Sequence, residues 1–161
     1  MPVPSIGEYW NSFLASLPPT SHYFGRPYVT EKFGDTSELA DEFGQLVVKG
    51  IKTSTCSALW EWEADGHFLP HPGLVSIVLD SQDQPLCIIE ITEVYVCRFK
   101  NVDEEFAQTE GEGYLSLEYW RKANKKFFSR RLPKIGKEFS EDMPLVCVLF
   151  KVCLLYTSRC V

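Results

Sequence analysis

The sequence predicts an α+β domain, with helices packed around an antiparallel or mixed sheet or a small barrel. Three observations carry that prediction. Apolar residues within the first fifty positions recur at helical spacing. From Leu74 to Phe99 the pattern changes to runs rich in β-branched residues. A helical pattern then returns and gives way to one last apolar run, "MPLVCVLFKVCLL". Helices, strands, helices and a strand in that order suit an α+β layout. The length, 161 residues, fits one ordinary domain with a core of its own.

The elements follow in chain order. "SIGEYWNSFLAS" reads as a helix, with Ser5 and Glu8 at capping-box spacing and "LPPT" as its stop. "SHYFGRPYVTEKFGD" reads as a loop rich in aromatics and glycine. "SELADEFGQLVVK" is a second helix; Asp35 and Glu38 have cap spacing, and Leu39, Phe43, Leu46 and Val47 form its apolar stripe. Gly50 is its expected C-terminal stop. "ADGHFLPHPG" is a loop. "LVSIVLD" and "PLCIIEITEVYVCRF" are strands of a hairpin joined by "SQDQ". "DEEFAQTEGEG" is a short helix with a glycine-punctuated exit. "SLEYWRKANKKFFSRRL" is a longer one, with Leu117, Trp120, Phe127 and Phe128 on or near one face. The apolar run from Met143 is a final strand. There is no internal repeat, low-complexity tract or linker, so residues 1–161 are expected to form a single domain. Its helical part is 5–49 and its barrel and later helices 50–152. The tail 153–161 is atypical, with the look of a non-native junction.

Composition narrows the function classes. The chain is 45% hydrophobic and 24% charged, which is globular rather than disordered. No apolar run reaches membrane-spanning length, and the N-terminus lacks signal-peptide blocks. A cytoplasmic protein with no membrane partner is the expectation. Six cysteines include no C-x-x-C pair, so neither a disulfide framework nor a zinc site is expected. His67 and His71 have metal-like spacing, but Pro70 breaks the helix that would align them. No metal and no cofactor are expected. The net charge of -6 argues against bulk affinity for nucleic acid. Ten of the 16 Lys and Arg residues nevertheless lie between Arg98 and Lys137. That run suits either a solvated helix surface or a basic face on an acidic protein.

Two short clusters carry chemistry. Lys52 and Thr55 are three residues apart, just beyond a glycine. On a helical turn they share a face; on an extended chain they do not. A lysine whose pKa is lowered by burial can take a hydroxyl proton, and a charged one can stabilise an oxyanion. The same spacing also fits a surface lysine beside an N-cap threonine. In the second cluster, Glu110 and Glu112 flank Gly111. They are either proton carriers or part of a solvated turn. Ser116 is a good N-cap for the helix that follows.

Taken together, G-x-K-x-x-T, "LWEWE", "VDEEFAQTEGEG" and "SLEYWRKA…FF" resemble the ASCH domain family over about residues 5 to 152, closest to its larger bacterial members. The resemblance implies a PUA-like small β-barrel with helices around a cleft lined by the G-x-K-x-x-T motif. It also implies one of three activities. In some bacterial members a Lys, a Thr and a Glu remove the acyl group from N4-acylated cytidine, the substrate being a small nucleoside. Those roles fall here on Lys52, Thr55 and Glu110, with no cofactor. Thr53, Ser57, Trp60, Glu112, Ser116 and Trp120 are then the expected substrate-binding residues, the tryptophans as an aromatic wall or as core. The second implied activity is binding of RNA or a modified nucleotide in the same cleft, aided by the basic stretch 121–137. The third is a ribonuclease using Lys52 and Ser116. The chain departs from the family pattern at Ser57, where small amidohydrolases often carry arginine, and at Tyr114, where the turn often has aspartate. The preferred acyl group and the oligomeric state are not written in the sequence.

Overall fold

The computed structural model describes residues 4–112 and 116–155, with no side-chain account for Leu155. Its elements are α1 (Ile6–Ala15), β1 (Tyr28–Glu31), α2 (Ser37–Val48), β2 (Ser54–Ala58), α3 (Leu59–Asp65), β3 (Val75–Leu79), β4 (Pro85–Arg98), α4 (Glu104–Glu110), α5 (Leu117–Arg131) and β5 (Pro144–Leu155). Single 3-10 turns follow β4 and α5. The strands form one mixed five-stranded sheet in the order β1-β3-β4-β5-β2. The α+β expectation is met, with the helical segment at the N-terminal end.

The chain divides into two compact units. One takes in the chain up to Gly50, Gly73–Glu90 and the chain from Lys151 onward; the other is Ile51–Pro72 with Ile91–Phe150. In the first, Ser5 caps α1 by accepting the Glu8 N–H at 3.1 Å, as its spacing predicts. α1 places Tyr9, Trp10 and Phe13 against Val75, Ile77 and Leu79 of β3 and Ile88 of β4. Strand alternation puts those three β3 residues on one face. The hairpin is as expected: Val75 pairs with Glu90 and Ile77 with Ile88, antiparallel.

Two expectations need correction here. The aromatic loop contains β1, which pairs parallel with β3 from Tyr28↔Val75 to Glu31↔Val78. Four residues carry too little alternation to be read alone, and the neighbouring strand supplies their hydrogen bonds. The cap of α2 is Thr36, not Asp35: the Thr36 hydroxyl oxygen accepts the Leu39 N–H at 3.1 Å. Gly50, with φ +76°, ends the segment as predicted. Cys153 and Leu154 of β5 pack against the core of this unit, and Cys153 Sγ lies 3.5 Å from the Tyr23 hydroxyl. The rest of the tail, 156–161, lies outside the described residues.

In the second unit, β2 runs antiparallel to β5, with Cys56 opposite Cys147 and Ala58 opposite Leu145. The sequence left residues 52–57 open between a helical turn and an extended chain; from Ser54 they are strand. β2 passes directly into α3, whose Glu61 accepts a two-pronged ion pair from Arg131 of α5 at 2.8 and 2.9 Å. The core combines Ala58, Phe106, Trp120, Phe128, Leu132, Met143, Leu145 and Cys147. Burial of this many large apolar side chains, about 1.5–3 kcal/mol each, fixes α4 and α5 against the strands.

Candidate functional site

The site begins with two glycines. Gly50 turns the chain out of α2, and two residues on Lys52 points inward, only 1% exposed. Gly111, with φ +71°, ends α4. A Cβ on Gly111 would lie 2.5 Å from the Ile51 carbonyl oxygen, so only glycine lets the two backbones meet. This approach is sealed by the Thr53 N–H, which donates to the Thr109 carbonyl at 2.7 Å. The Thr109 hydroxyl donates back to the Phe106 carbonyl at 2.7 Å. That leaves the Ser54 hydroxyl to donate to Thr109 Oγ1 at 2.7 Å.

Glu110 and Glu112, on either side of that glycine, close on the lysine. Lys52 Nζ donates to Glu112 Oε1 at 2.7 Å and to Glu110 Oε2 at 3.2 Å, with the Glu110 carbonyl oxygen at 3.5 Å. Glu110 is almost fully buried, and its Oε1 accepts the indole N–H of Trp120 at 3.1 Å. Glu112 is the more open carboxylate, its side chain 15% exposed. Trp120 stacks on Phe99 at 5.2 Å and is itself buried. A turn further along α5, Asn124 donates to the Trp120 carbonyl at 3.0 Å and offers its Oδ1 to the Cys56 thiol at 3.9 Å.

The electrostatics follow from one buried cation between two carboxylates. Burial works to lower the Lys52 pKa, the route by which the sequence suggested a neutral amine. Glu110 and Glu112 outweigh it, and the net shift is upward, so the resting side chain is an ammonium. Burial pushes Glu112 up to about 7; the Lys52 charge pulls it down and Glu110 pushes it up. Burial, with the Glu110 charge beside it, holds the Cys56 thiol well above its ordinary value, so it stays protonated. Glu112 is therefore the carboxylate of the cluster that burial raises toward neutrality.

The other predicted site residues have these places. Thr55 and Ser57 lie on the face of β2 away from Ser54 and Cys56, by strand alternation. The Ser57 hydroxyl oxygen accepts the Trp62 indole N–H at 2.8 Å. The Thr53 hydroxyl donates to the Thr109 carbonyl at 3.4 Å. Of the four hydroxyls in this stretch, that of Thr55 alone has no hydrogen-bond partner among the described residues. Thr55 is half-buried on β2, at an edge of the sheet. Trp60 packs against the core with Lys137 over its ring at 5.6 Å. Ser116 caps α5, its hydroxyl oxygen accepting the Tyr119 N–H at 3.1 Å. Tyr114 lies outside the described residues. His67 and His71 are both exposed, and among the described residues no three His, Cys, Asp or Glu side chains are grouped to hold a metal.

The sequence reading missed Asn124, Cys56 and Thr109. Asn124 had a usable signal. It stands at i+4 from Trp120 and i−4 from Phe128, a polar residue inside the buried stripe of α5.

An α+β domain with a buried Lys–Glu–Glu cluster at the join of β2 and α4 is the class these features define. The ASCH domain family model matches residues 30–153, and the chain belongs to that family. It is similar to the ASCH domain of Lactobacillus crispatus JV V101, at 34% identity and a TM-score of 0.86, over 91% of this chain and 92% of that one. It is also similar to a protein of Enterococcus faecalis V583, at 39% identity and a TM-score of 0.84, over 96% and 91%. No curated protein matches the chain.

Proposed function

We propose that the chain is an amidohydrolase that removes the acyl group from N4-acylated cytidine. The observation that carries this reading is the buried Lys52–Glu110–Glu112 cluster at the start of the strand whose Thr55 hydroxyl has no hydrogen-bond partner among the described residues. β2 is an edge strand, and Thr55 is half-buried on its face away from the packed side chains of Ser54 and Cys56, which leaves its hydroxyl partly open to a small molecule.

The scheme uses only side chains of the chain. Thr55 Oγ attacks the acyl carbonyl carbon, and its proton passes to the Glu112 carboxylate. The ammonium of Lys52 stabilises the tetrahedral oxyanion. Glu112 returns the proton to the exocyclic nitrogen as the C–N bond breaks, releasing cytidine. Water, deprotonated by Glu112, then attacks the acyl-threonine ester and frees the carboxylic acid and the Thr55 hydroxyl. Glu110, clamped by Trp120, holds Lys52 in place. A carboxylate whose pKa lies near the working pH suits this two-way traffic.

The test is the ultraviolet absorbance of N4-acetylcytidine incubated with purified protein. Conversion to cytidine is expected, reduced at least a hundredfold in Glu112→Gln and abolished in Thr55→Ala. Lys52→Ala leaves two buried carboxylates without their cation, at a cost of about 3–5 kcal/mol, so its activity is read alongside circular dichroism. No conversion by folded wild type ends the reading. Full activity in Thr55→Ala replaces the threonine by direct attack of water.

A further inference from the structure

We propose that Cys97 and Cys147 form a redox-active dithiol, which a peroxide closes to a disulfide. β4 and β5, which carry them, are hydrogen-bonded neighbours in the sheet. Both side chains belong to the core of the second unit, and their Sγ atoms lie 3.8 Å apart. A disulfide holds its sulfurs at about 2.05 Å, so closure needs a movement of about 1.8 Å shared between two side chains.

The two thiols are not equivalent. Cys147 is fully buried, whereas Cys97 is half-buried, on the same face of β4 as the exposed Tyr95. A peroxide therefore reaches Cys97 first. Burial, helped by the Asp103 charge, raises the Cys97 thiol, and an S–H donated to it by Cys147 pulls the other way. Burial wins, so Cys97 is protonated at neutral pH and its attack is slow. Such a pair responds to sustained exposure, not to a brief pulse. Contact separates it from the other cysteines. Cys56 stands opposite Cys147 on β2, but its thiol turns to Asn124 Oδ1 at 3.9 Å. Cys87 is buried in the other unit.

The Cys97 thiolate attacks one oxygen of the peroxide. An S–O bond forms, the O–O bond breaks, and hydroxide leaves as water with the proton that Cys97 released. Cys147 sulfur then attacks the Cys97 sulfenic acid. The S–S bond forms, the S–O bond breaks, and the second hydroxide leaves as water with the Cys147 proton. The two sulfurs lose two electrons and the peroxide gains them. Because Cys147 is already in contact, this second step is intramolecular and outruns a second peroxide, which would take Cys97 irreversibly to sulfinic acid. The bond closes a loop of chain that contains α4, the turn with Glu110 and Glu112, and α5. Neither thiol takes part in the scheme at Lys52, and the dithiol stands whether or not that scheme does.

The test is incubation of the reduced, folded chain with hydrogen peroxide at mildly alkaline pH, followed by alkylation, digestion and mass spectrometry. A linked Cys97–Cys147 peptide is expected, lighter by about 2 Da than its two thiol peptides together, and dithiothreitol should reverse it. Cys97→Ser should form no disulfide at Cys147. In Cys147→Ser the oxidation should stop at Cys97 sulfenic acid, so that dimedone labels Cys97 at least tenfold more than in wild type. Circular dichroism shows that each variant is folded; should Cys147→Ser fail to fold, the wild-type map and Cys97→Ser decide. The proposal is overturned if folded wild type keeps both thiols, if its disulfides join other cysteines only, or if Cys97 goes to sulfinic acid without the linkage. A folded Cys147→Ser that takes up no more dimedone than wild type overturns it as well.

Discussion

In the proposed amidohydrolase Glu112 is the residue on which acid–base chemistry turns. Its carboxyl is pushed up to about 7 while Lys52 beside it is held as a cation. In the proposed scheme the carboxylate form of Glu112 starts the reaction. kcat/KM for N4-acetylcytidine should therefore rise tenfold per pH unit below about 7 and level off above it. The plateau should extend to the upward-shifted pKa of Lys52 and fall only as the ammonium is lost. A profile already flat at pH 5.5 would remove Glu112 from that role. At this scale the sequence was informative about residue types and silent about their state. Lys52, Glu110 and Glu112 stand out as short motifs, but 58 residues separate the lysine from the first glutamate. The two carboxylates beside it keep the lysine charged, and burial raises the more open carboxylate to about 7. Asn124 was hidden because one polar residue on a helix reads as surface until Trp120 and Phe128 are known to face the core.

The elements hold the cluster through the join of α4 with the segment ahead of β2. Gly111 is its tightest point: a methyl group there meets the Ile51 carbonyl and carries a left-handed backbone. Gly111→Ala should cost about 2–4 kcal/mol from strain and overpacking together. Because the turn carries both glutamates, activity should fall by more than the loss of folded protein explains. Chemical denaturation and turnover on the same sample check this, and a variant with normal stability would mean that the turn relaxes freely. Elements with long periodic patterns or explicit caps were legible beforehand. α1 announced itself through Ser5 and Glu8, the β3–β4 hairpin through two β-branched runs, α5 through its stripe. β1 was not legible because its four residues are strand only by virtue of β3 beside them. β2 was left open for a related reason: small hydroxyl residues pair with β5, and nothing in "STCSA" favours extension strongly on its own.

At the scale of the whole molecule, the same proton links the proposed activity to stability. A carboxyl with a folded pKa of about 7 and an ordinary value of 4.5 binds its proton more tightly when folded. Its contribution to stability is complete below about pH 4.5 and is lost as pH rises through 7. Between pH 6 and pH 8 this loss is about 1 kcal/mol, a fall of roughly 2–4 °C in Tm for a chain of this size. Lys52 does not compensate in that window, because its pKa is shifted upward from 10.5 and it stays charged. Asp41 and Asp142, both lowered from 3.8 by hydrogen bonds to Ser81 and Lys100, are ionised throughout it. Glu112→Gln removes the titration while keeping an acceptor for Lys52, so its Tm should be nearly flat from pH 6 to 8. It should also exceed that of wild type at pH 8, since the cluster then holds one buried cation against one carboxylate. Thermal melts of both proteins across that range decide the matter. Parallel wild-type and variant curves would mean that Glu112 is ionised in the folded protein well below pH 6. Stability would then be uncoupled from the proton that the catalytic scheme requires.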